Sequence, residues 1–384
     1  MAEAYIVDVL RSPTGRRKGG LSNVHAIDLG AHVLKALVER NDIPDEDYDD
    51  VIFGCVDTIG SQAGDIARTS WLAAGLALNV PGTTVDRQCG SSQQALHFAA
   101  QAVMSGTQDV IAVGGVQTMT QIPISSAMLA GQPLGFPDPF SGSLGWQKRF
   151  GGQPVDQFYA AQRIAKHWGL SRADMEAFAL ESHRRAIAAI QSGRFDREIV
   201  AYGDVTRDET PRETSLEKMA KLKPVFKEGG TVTAGNSSGR NDGAAVLLIM
   251  SAEKAKELGY KPMAIFRSQA AAGVDPRYMG IGPVNATKKA LERAGLTLDQ
   301  IGLIELNEAF AAQSLAVIKE AGFNQDILNV NGGAIALGHP LGATGARLLT
   351  TLLYEMRRRE VKYGLATLCI AGGLGLANVV ELCS

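Results

Sequence analysis

A chain of 384 residues exceeds the size at which a single hydrophobic core stops growing, so more than one core unit is expected. Its 45% hydrophobic and 20% charged residues are those of a globular protein, and a net charge of −2 without long blocks of like sign argues against a nucleic-acid partner. Four cysteines do not make a disulfide framework, no CxxC or HExxH pairing suggests a metal site, and no apolar run reaches a membrane span, so the expectation is a cytoplasmic protein.

Residues 4–10 read as a strand that begins at once, without a signal sequence, and Arg11-Ser12-Pro13-Thr14-Gly15 turns out of it. Ile27, Leu29, Val33, Leu34, Leu37 and Val38 set helical periodicity over 26–40, and 51–54 is a buried strand. The stretch 83–106 follows. Thr84 and Val85 are a short strand, Cys89-Gly90-Ser91-Ser92 a polar turn, and Ala95, Phe98, Ala99, Ala102 and Val103 lie at helical spacing. Unpaired N–H groups and the helix dipole would stabilise a thiolate there, which makes Cys89 a candidate nucleophile; the alternative is a buried cysteine packing as a small hydrophobe. Residues 109–115 form a continuous apolar run suited to a parallel sheet covered on both faces.

Past Thr118 the chain turns polar and rich in Gly and Pro through 121–154, then two charged helices are expected at 155–168 and 172–192, the second capped by Ser171. The polar stretch 204–221 leads to Gly230-Thr231-Val232-Thr233-Ala234-Gly235-Asn236-Ser237-Ser238-Gly239. So long an irregular region between regular halves suggests an inserted, binding loop domain. Alternation resumes with strands at 244–250, 263–270, 301–306, 328–330 and 365–369, and helices at 252–258, 286–294, 309–321 and 341–359. The units ending at Gly114-Gly115 and Gly372-Gly373 look like an internal repeat, which would place their cysteine and glycine-rich turns side by side.

Three further turns carry chemistry. His339 sits between glycines just before a helix, able to take a proton from a thiol or to be structural. Asn307 opens a helix, as N-cap or as donor to an oxyanion. Cys369 ends a strand before Ile370-Ala371-Gly372-Gly373, as core residue or as a second reactive thiol. In this order, Cys89-Gly-Ser, Asn307-Glu-Ala-Phe, Gly338-His339-Pro340 and Cys369-Ile-x-Gly-Gly resemble the four active-site motifs of the thiolases, and the likeness runs from Arg11 to the C-terminus.

The resemblance implies an α/β thiolase fold, with two similar βαβαβαββ halves in a five-layered α-β-α-β-α arrangement and an inserted loop domain. The halves would be 1–118 plus 241–261 and 262–384, with the loop domain at 119–240. It also implies that Cys89 is acylated, that His339 activates it, and that Cys369 protonates the leaving acetyl-CoA enolate. Asn307 would hold a water that forms one oxyanion hole with His339; the N–H groups of Cys89 and Ala371 would form the other. Ser238, Lys223 and Ala234 would meet CoA, while Met279, Phe310, Gln157 and Phe158 would line the acyl pocket. CoA would be a substrate, with no permanently bound cofactor and no metal, in a homodimer or homotetramer.

Departures concern the substrate. Ser92-Gln93-Gln94 replaces a glycine-bearing turn, Ala371 stands where the family has glycine, Lys223 replaces an arginine, and Asp156-Gln157-Phe158 replaces His-Met-Gly on the acyl wall. The implied reaction is cleavage of a 3-oxoacyl-CoA, with the cysteine turn resembling actinobacterial degradative thiolases, sterol breakdown included. Alternatives are biosynthetic acetoacetyl-CoA formation and a non-catalytic acyl-CoA-binding protein of the same fold.

Overall fold

The structure, a computed structural model, describes residues 3–153, 155–225 and 228–383. The chain begins with strands β1 (Ala4–Arg11) and β2 (Gly15–Arg16), helix α1 (Ala26–Arg40), strand β3 (Asp50–Gly54) and helix α2 (Ile66–Ala73). Strand β4 (Gly82–Val85), helix α3 (Ser91–Ser105) and strand β5 (Val110–Thr118) follow. Helices α4 (Ser126–Leu129), α5 (Leu144–Phe150), α6 (Gln157–His167), α7 (Arg172–Gln191) and α8 (Leu216–Ala220) then separate β5 from β6 (Asn241–Ser251). The remainder comprises α9 (Ala252–Glu257), β7 (Ala264–Gly273), α10 (Gly282–Ala294), β8 (Leu303–Leu306), α11 (Ala311–Ala321), α12 (Ala334–Leu337), α13 (Thr344–Arg359), β9 (Tyr363–Ile370) and β10 (Leu374–Leu382).

The strands join in the order β4-β3-β5-β6-β1-β7-β10-β9-β8, with β2 on β6. Pairs β3–β4, β3–β5 and β8–β9 are parallel and the others antiparallel. Two halves meet at a narrow seam, Tyr5↔Ile265 and Ile6↔Ala264. Period-two alternation sorts side chains between layers. On β6, Ala245, Leu247 and Ile249 face the core that holds α3 and α13, while Val246, Leu248 and Met250 face the one holding α1 and α2. On β9 and β10, Leu368, Ile370 and Leu376 share the first of these cores, whereas Leu365, Ala377 and Val379 pack with residues of α10 and α11. The result is α-β-α-β-α, with α3 and α13 as the shared middle layer. Gly345 permits their approach, because a Cβ there would stand 2.5 Å from the Gln93 backbone nitrogen.

Several boundaries differ from the pattern in the sequence. Residues 328–330 are not a strand: Leu328 makes one isolated bridge to Ile304, and Asn329 then takes a left-handed turn at φ 44°. Helix α11 starts at Ala311, not 309, because Phe310 is extended and bridges Ser237. Helix α13 starts at Thr344, since 340–343 form a turn closed by Thr344 N–H on Pro340 O. The apolar patterns do not announce α2 or β10. Helix α7 begins at the expected cap, with Ser171 and Asp174 bonding each other's backbone.

Candidate active site

The turn that carries Cys89 is strained and tightly closed. Gln88 is left-handed at φ 49°, its N–H is held by Asp86 Oδ1 at 2.8 Å, and Ser91 Oγ donates to its carbonyl at 2.6 Å. Cys89 follows, two residues ahead of α3 and only 5% exposed. Burial pushes its thiol up to about 11, against the lowering effect of hydrogen bonds from the Ala371 and Cys89 N–H groups. The helix terminus therefore does not make a resting thiolate; desolvation in this site outweighs it. The same two amides converge where negative charge on sulfur, or on an oxygen bonded beside it, would sit.

Cys369 is the penultimate residue of β9 and is also buried. Burial raises its thiol, and a charge on Cys89 raises it further. Two thiolates so placed disfavour each other, so ionising Cys89 keeps Cys369 protonated and able to act as an acid. The chain then turns through Gly372 and Gly373, both at φ 85°.

His339 is oriented from three sides. Its N–H donates to Asn241 Oδ1 at 3.1 Å, its Nδ1 lies 2.6 Å from Thr344 Oγ1, and its Nε2 lies 3.3 Å from Asn307 Nδ2. Thr344 Oγ1 spends its hydrogen on Pro340 O at 2.8 Å, so it accepts from Nδ1, and the lone pair is on Nε2. Burial first, and Arg347 second, lower the imidazole to about 3. The ring rests neutral, and its Nε2 lone pair, which faces the Asn307 amide, is the position where a proton could be taken up. Asn307 is fully buried, and its Oδ1 has no protein partner. The next residue anchors the turn: Glu308 accepts from Ser182 Oγ at 2.6 Å, Asn329 Nδ2 at 2.9 Å and the Ile335 N–H at 3.2 Å.

Two adjoining cavities frame these groups. One, about 20 Å³, is lined by Cys89, Cys369, Ala371, Met279, Ile164 and Gln313. The other, about 240 Å³, is lined by His339, Phe158, Ala234, Ser238, Val225 and Arg240. Gln157, Ala309 and Phe310 belong to both. Met279, Phe310 and Gln157, expected at an acyl pocket, line the cavity that holds both thiols. Phe158 instead borders the wider cavity and packs edge-on against Phe310, with ring centroids 5.7 Å apart. Ser238 N–H and Oγ both bond Ala309 O, at 3.0 and 3.1 Å, which ties the inserted segment to the Asn307 turn. Lys223 is exposed and lines neither cavity, whereas Arg240, which sequence reading passed over, brings a cation to the wider one. Thr344 was passed over as well; its position five residues past His339, after a turn-forming proline, was the available signal. Among the described residues no three His, Cys, Asp or Glu side chains are grouped to hold a metal ion, and no helix is long and apolar enough to cross a membrane.

Comparison with known proteins shows the family and the fold. The family model "Thiolase, N-terminal domain" matches residues 4–253, and "Thiolase, C-terminal domain" matches 260–382. The chain is 50% identical over 385 residues to the steroid 3-ketoacyl-CoA thiolase FadA6 of Mycobacterium tuberculosis, covering 99% of this chain and 94% of that protein. It is 45% identical over 393 residues to an acetyl-CoA acetyltransferase of Chromobacterium violaceum, covering 99% of each. A crystal structure of the Bacillus anthracis acetyl-CoA acetyltransferase superposes with a TM-score of 0.87 at 37% identity, over 100% of this chain and 99% of that one.

Proposed function

The chain belongs to the thiolase family, and from that premise we propose that it cleaves a 3-oxoacyl-CoA with CoA, giving acetyl-CoA and a shortened acyl-CoA through an acyl-Cys89 intermediate. The observation that carries this reading is the pair of thiols, Cys89 and Cys369, in one cavity, with a neutral imidazole in the next. A degradative direction is supported by the relative named for steroid 3-ketoacyl-CoA. Biosynthetic acetoacetyl-CoA formation runs the same steps backwards and is the less favoured use. A non-catalytic binder would have no use for two paired thiols beside an oriented base.

In the proposed sequence, Cys89 gives its proton to His339 Nε2 as its sulfur bonds to C3 of the substrate. The oxyanion is held by one set of donors, either Cys89 and Ala371 N–H or His339 with an Asn307-bound water. The C2–C3 bond then breaks, and the departing acetyl-CoA enolate takes the Cys369 proton. An incoming CoA thiol returns a proton to Cys369 and attacks the thioester, and the displaced Cys89 sulfur recovers its proton from His339. CoA is thus a substrate and not a resident cofactor. Ser238, Ala234 and Arg240 would face its pantetheine arm, with Lys223 further out; Met279, Phe310 and Gln157 would face the acyl chain, and Phe158 the passage between.

We assign 119–240 to an inserted domain, 1–118 plus 241–261 to the first half and 262–384 to the second, supported by β5 ending at Thr118, β6 starting at Asn241 and β7 at Ala264. Exposed Leu134, Phe136 and Leu144 support a homodimer or homotetramer, and the protein is taken as cytoplasmic. Steady-state thiolysis of 3-oxoacyl-CoAs, with mass spectrometry of the trapped enzyme, tests the whole. Acyl mass is expected on the Cys89 peptide, and Cys89→Ser should fold yet lose it; label on Cys369 with Cys89 free would overturn the assignment.

A further inference from the structure

Gln313 is three residues into α11 and 1% exposed, yet neither its Nε2 nor its Oε1 has a hydrogen-bond partner in the protein. It is a wall of the cavity that holds Cys89 and Cys369. The side chain has little freedom to leave: it lies against Gly280, where even a Cβ would come within 2.8 Å of Gln313 Cγ and of Ile164 Cδ1. The other walls, Met279, Phe310, Ala160, Ala161 and Ile164, offer no polar side-chain group except that of Gln157. Gln157 is the first residue of α6, is half-buried, and belongs to both cavities. An acyl chain of carbon and hydrogen alone would leave the buried amide unmet, whereas a chain bearing an oxygen would satisfy its N–H group.

Resting on the thiolase reading, we propose that the substrate is a 3-oxoacyl-CoA whose acyl chain carries a second hydrogen-bonding oxygen beyond C3, and that Gln313 recognises it, with Gln157 closing over the same end of the chain. The cavity has room for about one water-sized group as it stands. Its occupant beside Gln313 is therefore a small polar terminus or a single oxygen, and the longer part of a chain extends past Gln157 toward the wider cavity.

The test compares 3-oxoheptanoyl-CoA with 3,6-dioxoheptanoyl-CoA, a pair matched in length, in CoA-dependent thiolysis. The wild-type enzyme should favour the dioxo compound by roughly tenfold to a hundredfold in kcat/KM, as expected where a buried polar group is left unpaired by the wrong substrate. In Gln313→Leu that ratio should fall to about one, chiefly through loss on the dioxo compound, and Gln157→Met should lower it in part. A wild-type ratio near one overturns the inference without any variant and leaves the thiolase reading intact. A ratio that survives in Gln313→Leu overturns the role of Gln313. If neither compound is cleaved while Cys89 stays unacylated, the thiolase reading fails and this inference with it.

Discussion

At the scale of the residue, the site is governed by desolvation and by what answers it. Cys89 and His339 are both buried, so both rest uncharged, and the ion pair formed by proton transfer between them needs stabilisation from its surroundings. For the sulfur these are the Ala371 and Cys89 amides. For the ring, Thr344 fixes which nitrogen carries the lone pair, through a chain from His339 Nδ1 to Thr344 Oγ1 to Pro340 O. Thr344→Val is nearly isosteric and removes that acceptor, so the ring loses its tautomer preference. We expect kcat to fall about tenfold to a hundredfold, a fraction of what a general base contributes, with KM nearly unchanged and Thr344→Ser restoring the rate. Steady-state kinetics on one 3-oxoacyl-CoA decides it: equal losses in the Val and Ser variants would mean packing, not tautomer, is what Thr344 supplies. On the proposed mechanism, His339 and Cys369 should separate by step. His339→Ala should slow acylation of Cys89, whereas Cys369→Ala should mainly stop deuterium exchange into the acetyl-CoA methyl group. Exchange at the wild-type rate in Cys369→Ala would move the acid–base role elsewhere.

At the scale of the element, the candidate site residues lie on turns held by strand ends that pack backbone to backbone. Gly115 on β5 is one such place, since a Cβ there would stand 2.1 Å from Gly342 O and 2.6 Å from Gly54 O. Neither carbonyl is a flexible side-chain tip, so Gly115→Ala must push the 340–343 turn, which follows His339, off the sheet. A stability loss of about 1–3 kcal/mol is expected from the overpacking, together with a fall in kcat larger than the loss of folded protein explains. A denaturation curve beside a rate measurement reads both, and unaltered kcat in the folded fraction would show the turn to be insulated from β5. These contacts also mark the limit of what the sequence tells. Helix α1 and strand β5 were legible because burial of one stripe or both faces writes its period into the residues. The four turns that carry Cys89, Asn307, His339 and Cys369 were legible through their residue types and order. The raised Cys89 thiol was not, because it depends on Phe310, Met279 and Ile164 arriving from three other elements. Nor was the placement of Phe158, which follows from its edge contact with Phe310 and not from its position after Asp156.

Over the whole molecule, polar groups are buried where water does not reach, and this links folding to pH. Arg11 is buried against Glu198 and Asp208 at 2.7 Å each, fastening the inserted segment to β1. Three histidines are buried: His339 held near 3, and His97 and His183 each near 4, all chiefly by desolvation. An unfolded chain protonates its histidines below about pH 6.5, while these three stay neutral in the fold down to about 4 or below. The unfolded state therefore binds more protons, and each histidine withdraws stability as pH falls from 6.5 toward its folded value. Glu305 works in the opposite sense. Burial holds its carboxyl near 8, so the folded state keeps a proton that the unfolded chain has lost, and stability drains as pH rises from the ordinary carboxylate range toward 8. Several other buried carboxyls shift the same way, Asp8, Asp242 and Glu308 among them, so the total curve mixes both signs. One histidine can be isolated by difference. His97 sits in α3 with Nε2 against Asn378 Oδ1, and His97→Gln keeps an amide facing that oxygen without a titrating ring. Wild type minus variant should lose roughly 2 kcal/mol between pH 7 and pH 5, the amount set by a group protonated only when unfolded. Urea midpoints at the two pH values, converted with a common slope, give that difference directly. A pH-independent difference would mean that His97 takes its proton in the folded state, and that the core between α3 and β10 admits water.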